Sequence, residues 1–382
     1  MLSAQLLSIL LLPMTAASPS QQPGGDSSGL GVTWRVYVGT TTQGASKGIY
    51  LFNLNAETGK LTPQGLAVQT ENPSFLAMHP TRPFMYAVGE ASKGFVSAFH
   101  VERETGKLIP INSVSSKGEG PCHLAVAPTG RDVAVANYNS GSTALFPIKD
   151  DGSLGEANSF FQHEGKSINP QRQEGPHAHG ATFDVTGRFL FVPDLGADKV
   201  FVYHHDEKSQ LLSKNDPAFA TLTPGFGPRH IAFHPSGRFA YVVNEMGNTV
   251  TAFGYDAGTG QLTSIQTIGT LPAGFAGEST TAEIHVHPSG RFVYASNRGH
   301  DSIASFSVAP ETGRLTATGC MVTGGKTPRS FCLDPAGRYL LAANQESGDM
   351  IMFRINPESG VLEVTDQRVA VADSVCVIVL KP

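Results

Sequence analysis

The sequence is poor in charge, in cysteine and in long apolar runs, and each shortage excludes a class of protein. Charged residues make up 15% of the 382 residues, and the formal net charge is −5. Such a chain lacks the basic face that nucleic-acid-binding domains usually carry. The four cysteines, Cys122, Cys320, Cys332 and Cys376, stand apart in apolar, strand-like segments without a Cys-x-x-Cys pair. This spacing favours free, buried thiols over a zinc site or a disulfide framework.

A short apolar run near the N-terminus predicts an export signal. Leu6 to Met14 is apolar and precedes the small residues Thr15-Ala16-Ala17, but it is too short to span a bilayer. We interpret residues 1–17 as a signal peptide, residues 18–31, rich in Pro, Gly and Ser, as a flexible linker, and residues 32–382 as the folded domain. No Lys or Arg precedes the apolar run, so an ordinary N-terminal tail is the alternative to an exported, periplasmic or secreted protein.

Glycine and proline, in contrast, are abundant, with 42 and 25 residues. Many of them belong to one phrase, typified by His234-Pro235-Ser236-Gly237-Arg238-Phe239, in which Pro sets the first corner of a turn and Gly accepts a positive φ. Six copies begin at residues 79, 127, 184, 234, 287 and 334, at intervals of 48, 57, 50, 53 and 47 residues.

A second turn phrase, typified by Glu311-Thr312-Gly313-Arg314-Leu315, occurs seven times if the degraded copy Lys208–Leu211 is included. The runs between the turns, such as Phe239–Val243, are short and rich in β-branched and aromatic residues, which is typical of strands. No sustained helical period is present. Seven copies of about fifty residues with four strands each predict an all-β fold, a seven-bladed β-propeller.

The two ends of the chain predict how the ring closes. Residues 35–40 match the second strand of later copies, whereas residues 373–380 match the inner strands. We therefore expect Ser374–Leu380 to pair beside Val36–Thr40 in one blade, which removes an open sheet edge.

Polar residues that differ between blades are the candidates for a functional site. In a propeller, the starts of the inner strands and the loops after the second strands meet at one mouth of the central channel. At these places the sequence carries His177, His179, Arg229, His230, Glu245, Glu283, Arg298 and Arg329.

Polar residues that repeat from blade to blade receive a structural interpretation instead. His234 and His287 belong to the turn phrase, and we expect them to pack there. The Asn residues after second strands satisfy turn amides, and the Arg residues of the turn phrase are surface groups. The Asn set is Asn137, Asn244, Asn297 and Asn344, and the Arg set is Arg131, Arg188, Arg238, Arg291 and Arg338.

The non-repeating residues permit a particular kind of chemistry. A neutral His can take a proton from water near pH 7, and paired Arg residues can hold an anion or stabilise an oxyanion. Neither a Gly-x-Ser-x-Gly elbow nor a His-Glu-x-x-His motif is present, which argues against a serine esterase and a zinc protease. His177 and His179 alone do not make a metal site, so we predict no metal and no cofactor.

From Arg35 to Leu380 the chain resembles the propeller lactonase family, which includes bacterial 6-phosphogluconolactonase and the fungal 3-carboxy-cis,cis-muconate lactonizing enzyme. The residues that carry the resemblance are Tyr37–Thr41, Gly48–Tyr50, Gly175–His179, Val192–Asp198, Gly227–His230, Asn244-Glu245, Ser296–Arg298 and Pro328-Arg329.

The resemblance implies a metal-independent catalytic site made of a His, Arg residues and a Glu. These roles fall on the segment that holds His177 and His179, and on Arg229, Glu245 and Arg298. Counted back from the turn at Val185, this blade carries a two-residue insertion, so that His179 takes the place of Arg229 and is preferred over His177 as the base. The predicted substrate-binding residues are His230, Glu283, Arg329 and Asp194.

The resemblance further implies hydrolysis of a sugar-type lactone, with a small lactone or carboxylate as the partner. Because 6-phosphogluconolactone is made in the cytosol, export would favour an unphosphorylated lactone. Two alternatives stay open, since one fold hosts many functions: a non-catalytic propeller that binds a ligand or a protein, and an enzyme that lactonizes a muconate. We predict no nucleic-acid partner and no membrane span, and the sequence leaves the oligomeric state open.

Overall fold

The computed structural model describes residues 32–381, so the predicted signal peptide and linker lie outside the described residues. Residues 32–381 form 28 β-strands, and no helix in this range is long and apolar enough to cross a bilayer. The strands make seven antiparallel sheets of four strands each. The predicted seven-bladed β-propeller is therefore confirmed.

Blade 1 combines both ends of the chain, and the other six blades are continuous in sequence. From the inner to the outer strand, blade 1 contains β28 (Ser374–Leu380), β1 (Thr33–Thr40), β2 (Gly48–Asn55) and β3 (Leu61–Gln69). The inner strands of blades 2 to 7 are β4 (Leu76–Met78), β8 (Pro121–Val126), β12 (Thr182–Phe183), β16 (Pro228–Phe233), β20 (Thr280–Val286) and β24 (Pro328–Leu333).

Three further strands complete each of these six blades. The second strands are β5 (Phe84–Gly89), β9 (Asp132–Asn137), β13 (Phe189–Asp194), β17 (Phe239–Asn244), β21 (Phe292–Arg298) and β25 (Tyr339–Asn344). The third strands are β6 (Phe95–Val101), β10 (Ser142–Pro147), β14 (Lys199–Asp206), β18 (Thr249–Asp256), β22 (Ser302–Val308) and β26 (Asp349–Ile355). The outer strands are β7 (Leu108–Ser115), β11 (Ser159–Gln162), β15 (Leu211–Thr221), β19 (Gln261–Gly269), β23 (Leu315–Val322) and β27 (Leu362–Ala370).

The ring closes as the sequence predicts. Arg35 lies opposite Leu380 and Thr40 opposite Ser374, with a bulge at Gly39. The chain ends thus share a ladder in blade 1, and β28 covers the edge of β1 that would otherwise be open.

The apolar core is divided into seven clusters, each between two neighbouring blades. Trp34 and Phe52 of blade 1, for example, pack with Tyr339 and Met352 of blade 7. Because each blade buries both faces against its neighbours, a second strand such as β17 is buried along its whole length. The blades therefore stabilise one another rather than folding around one central core.

Contacts in the turns confirm the structural interpretation of the repeated histidines. His234 Nε2 lies 2.8 Å from the carbonyl oxygen of Gly290 in the next blade, and His287 Nε2 lies 2.8 Å from that of Gly337. Arg238 stays exposed, with its guanidinium 5.2 Å from the ring centre of Phe239.

The repeated asparagines also serve the fold. Asn244 Nδ2 donates to the hydroxyls of Thr249 and Thr251 on the adjacent strand. Equivalent side-chain amides donate locally in the other blades, in Asn137, Asn297 and Asn344. The asparagines therefore have a structural role, but the expected contact is wrong: within the described residues their side-chain oxygens accept no hydrogen bond from turn amides.

The four cysteines are free thiols, as predicted. Cys122, Cys332 and Cys376 are buried on inner strands, whereas Cys320 is only partly buried on the outer strand β23. The expectation of burial was therefore wrong for Cys320, because an outer strand has one side towards solvent.

Candidate active site

Glu245 is the centre of the polar cluster at the channel mouth. It follows β17 and is buried, yet three guanidinium groups approach its carboxylate. Nε of Arg229 and Nη2 of Arg298 lie 3.1 and 3.0 Å from Oε2, and Nη2 of Arg172 lies 2.8 Å from Oε1. The Arg229 contact has the distance of an ion pair without the alignment of a hydrogen bond. The cluster joins residues from three parts of the chain around one negative charge.

A β-bulge positions Arg229 at the start of its inner strand. Pro228 pairs with Asn244 and His230 with Val243, so Arg229 is left out of the ladder. Bulges of this kind can re-aim a side chain. Nη1 of Arg229 donates to the carbonyl oxygen of Ala282 in the next blade, at 2.6 Å. The guanidinium is thus fixed between two blades.

The backbone register of blade 4 shows which of its two candidate histidines occupies the position of Arg229. Ala178 bridges Asp194 as Pro228 pairs with Asn244, so His179 takes the place of Arg229. His179 Nε2 lies 3.8 Å from Glu245 Oε2, beyond a hydrogen bond, and Nδ1 lies 3.7 Å from the sulfur of Cys122. His179 is therefore inside the cluster without being committed to the carboxylate.

His177 lies on the rim instead. Its ring stacks on Tyr138 at 4.6 Å between centres, and its Nδ1 lies 3.0 Å from the Tyr138 carbonyl oxygen. Its Nε2 lies 3.4 Å from the carboxylate of Glu174. No ion pair or hydrogen bond of the described chain joins His177 to Glu245, so the structure does not bring this predicted residue into the cluster.

His230 and Glu283 form a second buried pair beside the first. His230 Nδ1 lies 2.8 Å from Glu283 Oε1, which also accepts the Ile284 backbone N–H at 3.1 Å. The His230 ring centre is 5.3 Å from that of His179 and 4.7 Å from that of His123. Glu283 therefore orients His230 next to the predicted base.

The last two predicted residues behave differently from each other. Arg329 follows Pro328 at the start of β24, where a bulge leaves it out of the ladder in the same way as Arg229, and its charge acts on Arg229, Arg298 and His179. It makes no ion pair within residues 32–381.

Asp194, in contrast, does not join the cluster. Its buried carboxylate lies 2.7 Å from His163 Nδ1 and accepts the backbone N–H groups of His177 and Ala197. Both of its oxygens are thus engaged within the protein. Asp194 was predicted to bind substrate. In the structure it instead holds the turn that carries His177.

Electrostatics keep both carboxylates of the cluster ionised. Burial opposes ionisation of Glu245, but Arg298 and Arg229, together with the Arg172 hydrogen bond, hold its pKa at about 2. Burial likewise opposes ionisation of Glu283, but the charge that His230 carries once protonated in acid and its hydrogen bond, together with His285 and Arg229, hold the pKa at about 2. Arg229 stays protonated at neutral pH although burial lowers its pKa to about 10.

The histidines are held neutral by the same surroundings. Burial lowers the pKa of His179 well below its usual value, and the charges of Arg229 and Arg329 act in the same direction. Burial also lowers the pKa of His230, although Glu283 counteracts the shift. A neutral imidazole has a free lone pair at pH 7, as a general base needs.

The sequence interpretation missed four residues that the structure brings to this mouth. Arg172 contacts Glu245, and the Tyr138 hydroxyl lies 3.2 Å from Arg172 Nη2. Cys122 and His123 begin the neighbouring inner strand and contact His179 and His230. The one available signal for Arg172 was the interval of 57 residues between residues 127 and 184, the longest of the series.

The side chains gathered at the mouth do not form a set of metal ligands. Within residues 32–381, no group of three or more His, Cys, Asp or Glu side chains is placed to hold a metal ion. Guanidinium groups and neutral imidazoles can instead bind an anionic or carbonyl oxygen.

Comparison with known proteins agrees with this architecture. A family model described as "Lactonase, 7-bladed beta-propeller" matches residues 35–379. The chain belongs to this family. The 6-phosphogluconolactonase of Bacillus subtilis (strain 168) is 39% identical over 296 residues, which are 77% of this chain and 83% of the relative. That of Formosa agariphila is 31% identical over 307 residues, which are 78% and 86% of the two chains.

A solved structure extends the similarity to three dimensions. The periplasmic gluconolactonase of Pseudomonas aeruginosa superposes with a TM-score of 0.87 at 33% identity, covering 92% of this chain and 100% of that one. The named relatives are lactonases, that is, carboxylic-ester hydrolases. The prediction of an enzyme of this class is thereby confirmed at the level of the family.

Proposed function

We propose that this propeller lactonase hydrolyses a six-carbon sugar-acid lactone with an anionic group, of the 6-phosphogluconolactone type. The observation that carries the proposal is the buried, neutral His179 beside the guanidinium groups of Arg229 and Arg298. An acyl transfer to water needs both a proton acceptor and a group that stabilises negative charge on oxygen.

The step divides these tasks between the residues. A water oxygen attacks the lactone carbonyl carbon while its proton passes to the His179 imidazole, and the carbonyl electron pair moves onto oxygen. A guanidinium of Arg298 or Arg229 stabilises this oxyanion. When the ring C–O bond breaks, the leaving oxygen takes the proton back from the imidazolium, and the product is the open hydroxy acid.

Glu245 has a supporting role in this scheme. With a pKa of about 2 it is a poor proton acceptor at neutral pH. Its charge instead holds Arg229 and Arg298 together, and they would otherwise repel each other in a buried site. It also favours the imidazolium that forms on His179, at 3.8 Å.

The charge of the cluster supports an anionic substrate. Four guanidinium groups meet two carboxylates, those of Glu245 and Glu283, and the histidines are neutral. The relatives named 6-phosphogluconolactonase act on a lactone that bears a phosphate, and the Pseudomonas relative is named for gluconolactone. Export by residues 1–17 stays a proposal that would favour an unphosphorylated lactone, and sequencing the N-terminus of the mature protein tests it.

The experiment is a pH-stat assay on gluconolactone and on its 6-phosphate, with the spontaneous rate subtracted. We expect the wild-type protein to release acid, and His179→Gln to lower kcat by about 10²- to 10⁴-fold. His230→Gln is the matched comparison, because it removes the neighbouring imidazole. If the wild-type protein accelerates neither reaction, a non-catalytic binding propeller replaces this proposal. If only His230→Gln loses activity, the base is His230 and not His179.

A further inference from the structure

Arg172 differs from the other guanidinium groups of the site in origin and exposure. It lies in the excursion of residues 163–181 between β11 and β12, not on a strand or in the loop after a second strand. Its side chain is 41% exposed, whereas those of Arg229 and Arg298 are 4% and 15% exposed. Among these three groups, Arg172 is therefore the one that an incoming ligand meets first.

The backbone around Arg172 is fixed on both sides. The side-chain oxygen of Asn169 accepts the N–H groups of Gln171 and Arg172. The buried Gln173 donates to the carbonyl oxygen of Leu195 and to Asp198, each at 2.8 Å. The guanidinium can thus exchange one partner for another by side-chain rotation, without a rearrangement of the excursion.

Of the three contacts between arginines and Glu245, the contact of Arg172 can be given up most easily. Arg229 and Arg298 already compensate the carboxylate from its Oε2 side, and Arg172 adds a third positive charge at Oε1. Glu174 is 60% exposed, so water screens its charge. Even with the partly exposed Glu90 counted, the mouth has four guanidinium groups, those of Arg172, Arg229, Arg298 and Arg329, against the three carboxylates of Glu90, Glu245 and Glu283.

The two carboxylate oxygens of Glu245 face different groups. His179, Arg229 and Arg298 are all nearest to Oε2, whereas Arg172 contacts Oε1. The Tyr138 hydroxyl, 3.2 Å from Arg172 Nη2, steadies the guanidinium on that outer side. A substrate whose carbonyl reacts at the Oε2 side would therefore place its far end near Arg172.

We propose that Arg172 is the specificity-determining residue of this site, and that it leaves Glu245 to bind a carboxylate or phosphate at the far end of the lactone. The inference rests on the proposed lactone hydrolysis. The planar guanidinium can hold either anion with two parallel hydrogen bonds. A neutral sugar lactone offers no such partner, so it would leave Arg172 on Glu245.

The test compares Arg172→Gln with the wild-type protein on three substrates. These are gluconolactone, its 6-phosphate, and a glucarolactone that bears a carboxylate. We expect kcat/KM for an anionic lactone to fall by about 10- to 100-fold, chiefly through KM, as for the loss of a charged hydrogen bond. The ratio of anionic to neutral kcat/KM should fall at least about tenfold, and Arg172→Lys should restore part of it.

Arg238→Gln is the matched control, because Arg238 is an exposed arginine of the turn phrase. This turn lies at the end of the blade opposite the mouth. The control variant should leave the ratio unchanged. A loss confined to the phosphate or to the carboxylate substrate identifies the anion. An equal loss on the neutral lactone overturns the inference, since Arg172 would then only support Glu245.

Failure of the proposed function would look different. If the wild-type protein hydrolyses none of the three lactones, calorimetric titration with 6-phosphogluconate still tests Arg172. Binding that weakens at least about tenfold in Arg172→Gln supports the inference. Equal binding by the two proteins, or no binding by the wild type, overturns it.

Discussion

The turns of the blades and the mouth of the channel use the same residue types in opposite ways. In the turns, His234 contacts a carbonyl oxygen of the next blade and Arg238 stays 53% exposed. At the mouth, His179 and Arg229 are buried within reach of Glu245. The turn residues repeat around the ring, whereas the residues at the positions of Arg229 and Glu245 differ in most other blades, with Arg329 and Glu90 as the exceptions. Repetition therefore marks positions that the fold needs, and its failure marks positions available for chemistry.

The surroundings account for the difference in behaviour. Water screens the charge of Arg238, and its 3.7 Å contact with the exposed Glu311 contributes little. Arg229 and Glu245 interact where water is largely excluded, so their charges act strongly on neighbouring groups. The shifts in pKa described above are found on the mouth side for this reason.

The largest expected effect is a difference in lactone hydrolysis between variants of Arg229 and Arg238. Arg229→Gln should lower kcat/KM on the hydrolysed lactone by about 10²- to 10³-fold, because it removes a group positioned for the oxyanion. Arg238→Gln should change kcat/KM by less than about twofold, since it is far from the mouth and exposed. Thermal unfolding of both variants checks that they fold. A comparable loss in the two variants would contradict the contrast between mouth and turns.

The next effect concerns stability in acid. Glu245 and Glu283 have a pKa of about 2 in the folded protein, against an ordinary glutamate value of 4.5. Their stabilising contribution is therefore complete above pH 4.5 and is lost as the pH falls towards 2, by at most about 3 kcal/mol for each carboxylate. Urea unfolding between pH 7 and pH 3 measures the loss. Glu283→Gln should flatten the curve below pH 4.5, and an unchanged slope would show that Glu283 is not the source.

The smallest effect belongs to the turns. His287→Ala removes a contact of 2.8 Å with the carbonyl oxygen of Gly337, and we expect the free energy of unfolding to fall by about 1–2 kcal/mol. Lactone hydrolysis at saturating substrate should stay within about twofold of the wild type, because the turn does not touch the mouth. Urea unfolding at pH 7 and the pH-stat assay measure the two quantities. Loss of activity without loss of stability would reverse the assignment of His287 to the fold.

Much of the fold was predictable because it is written in local, repeated signals. Turn phrases such as the one at Pro235–Gly237 depend on the φ preferences of Pro and Gly, which act within a few residues. Counting them established seven blades, and the mismatch between residues 35–40 and residues 373–380 established the closure at β1 and β28. Arg229, Glu245 and Arg298 were recognisable because they interrupt the same repeats.

The remaining parts of the site needed the tertiary structure, because they depend on contacts between distant residues. Asp194 and His179 both belong to segments of blade 4 that carry the family resemblance. The carboxylate of Asp194 nevertheless contacts His163, whereas the side chain of His179 lies at the mouth. Arg172 lies 73 residues from Glu245 along the chain, and no local pattern predicts that they meet. The sequence by itself determined the ring, its closure and the positions where blades differ. Only the folded chain decided which side chains share a buried space, and therefore which charges and pKa values the site has.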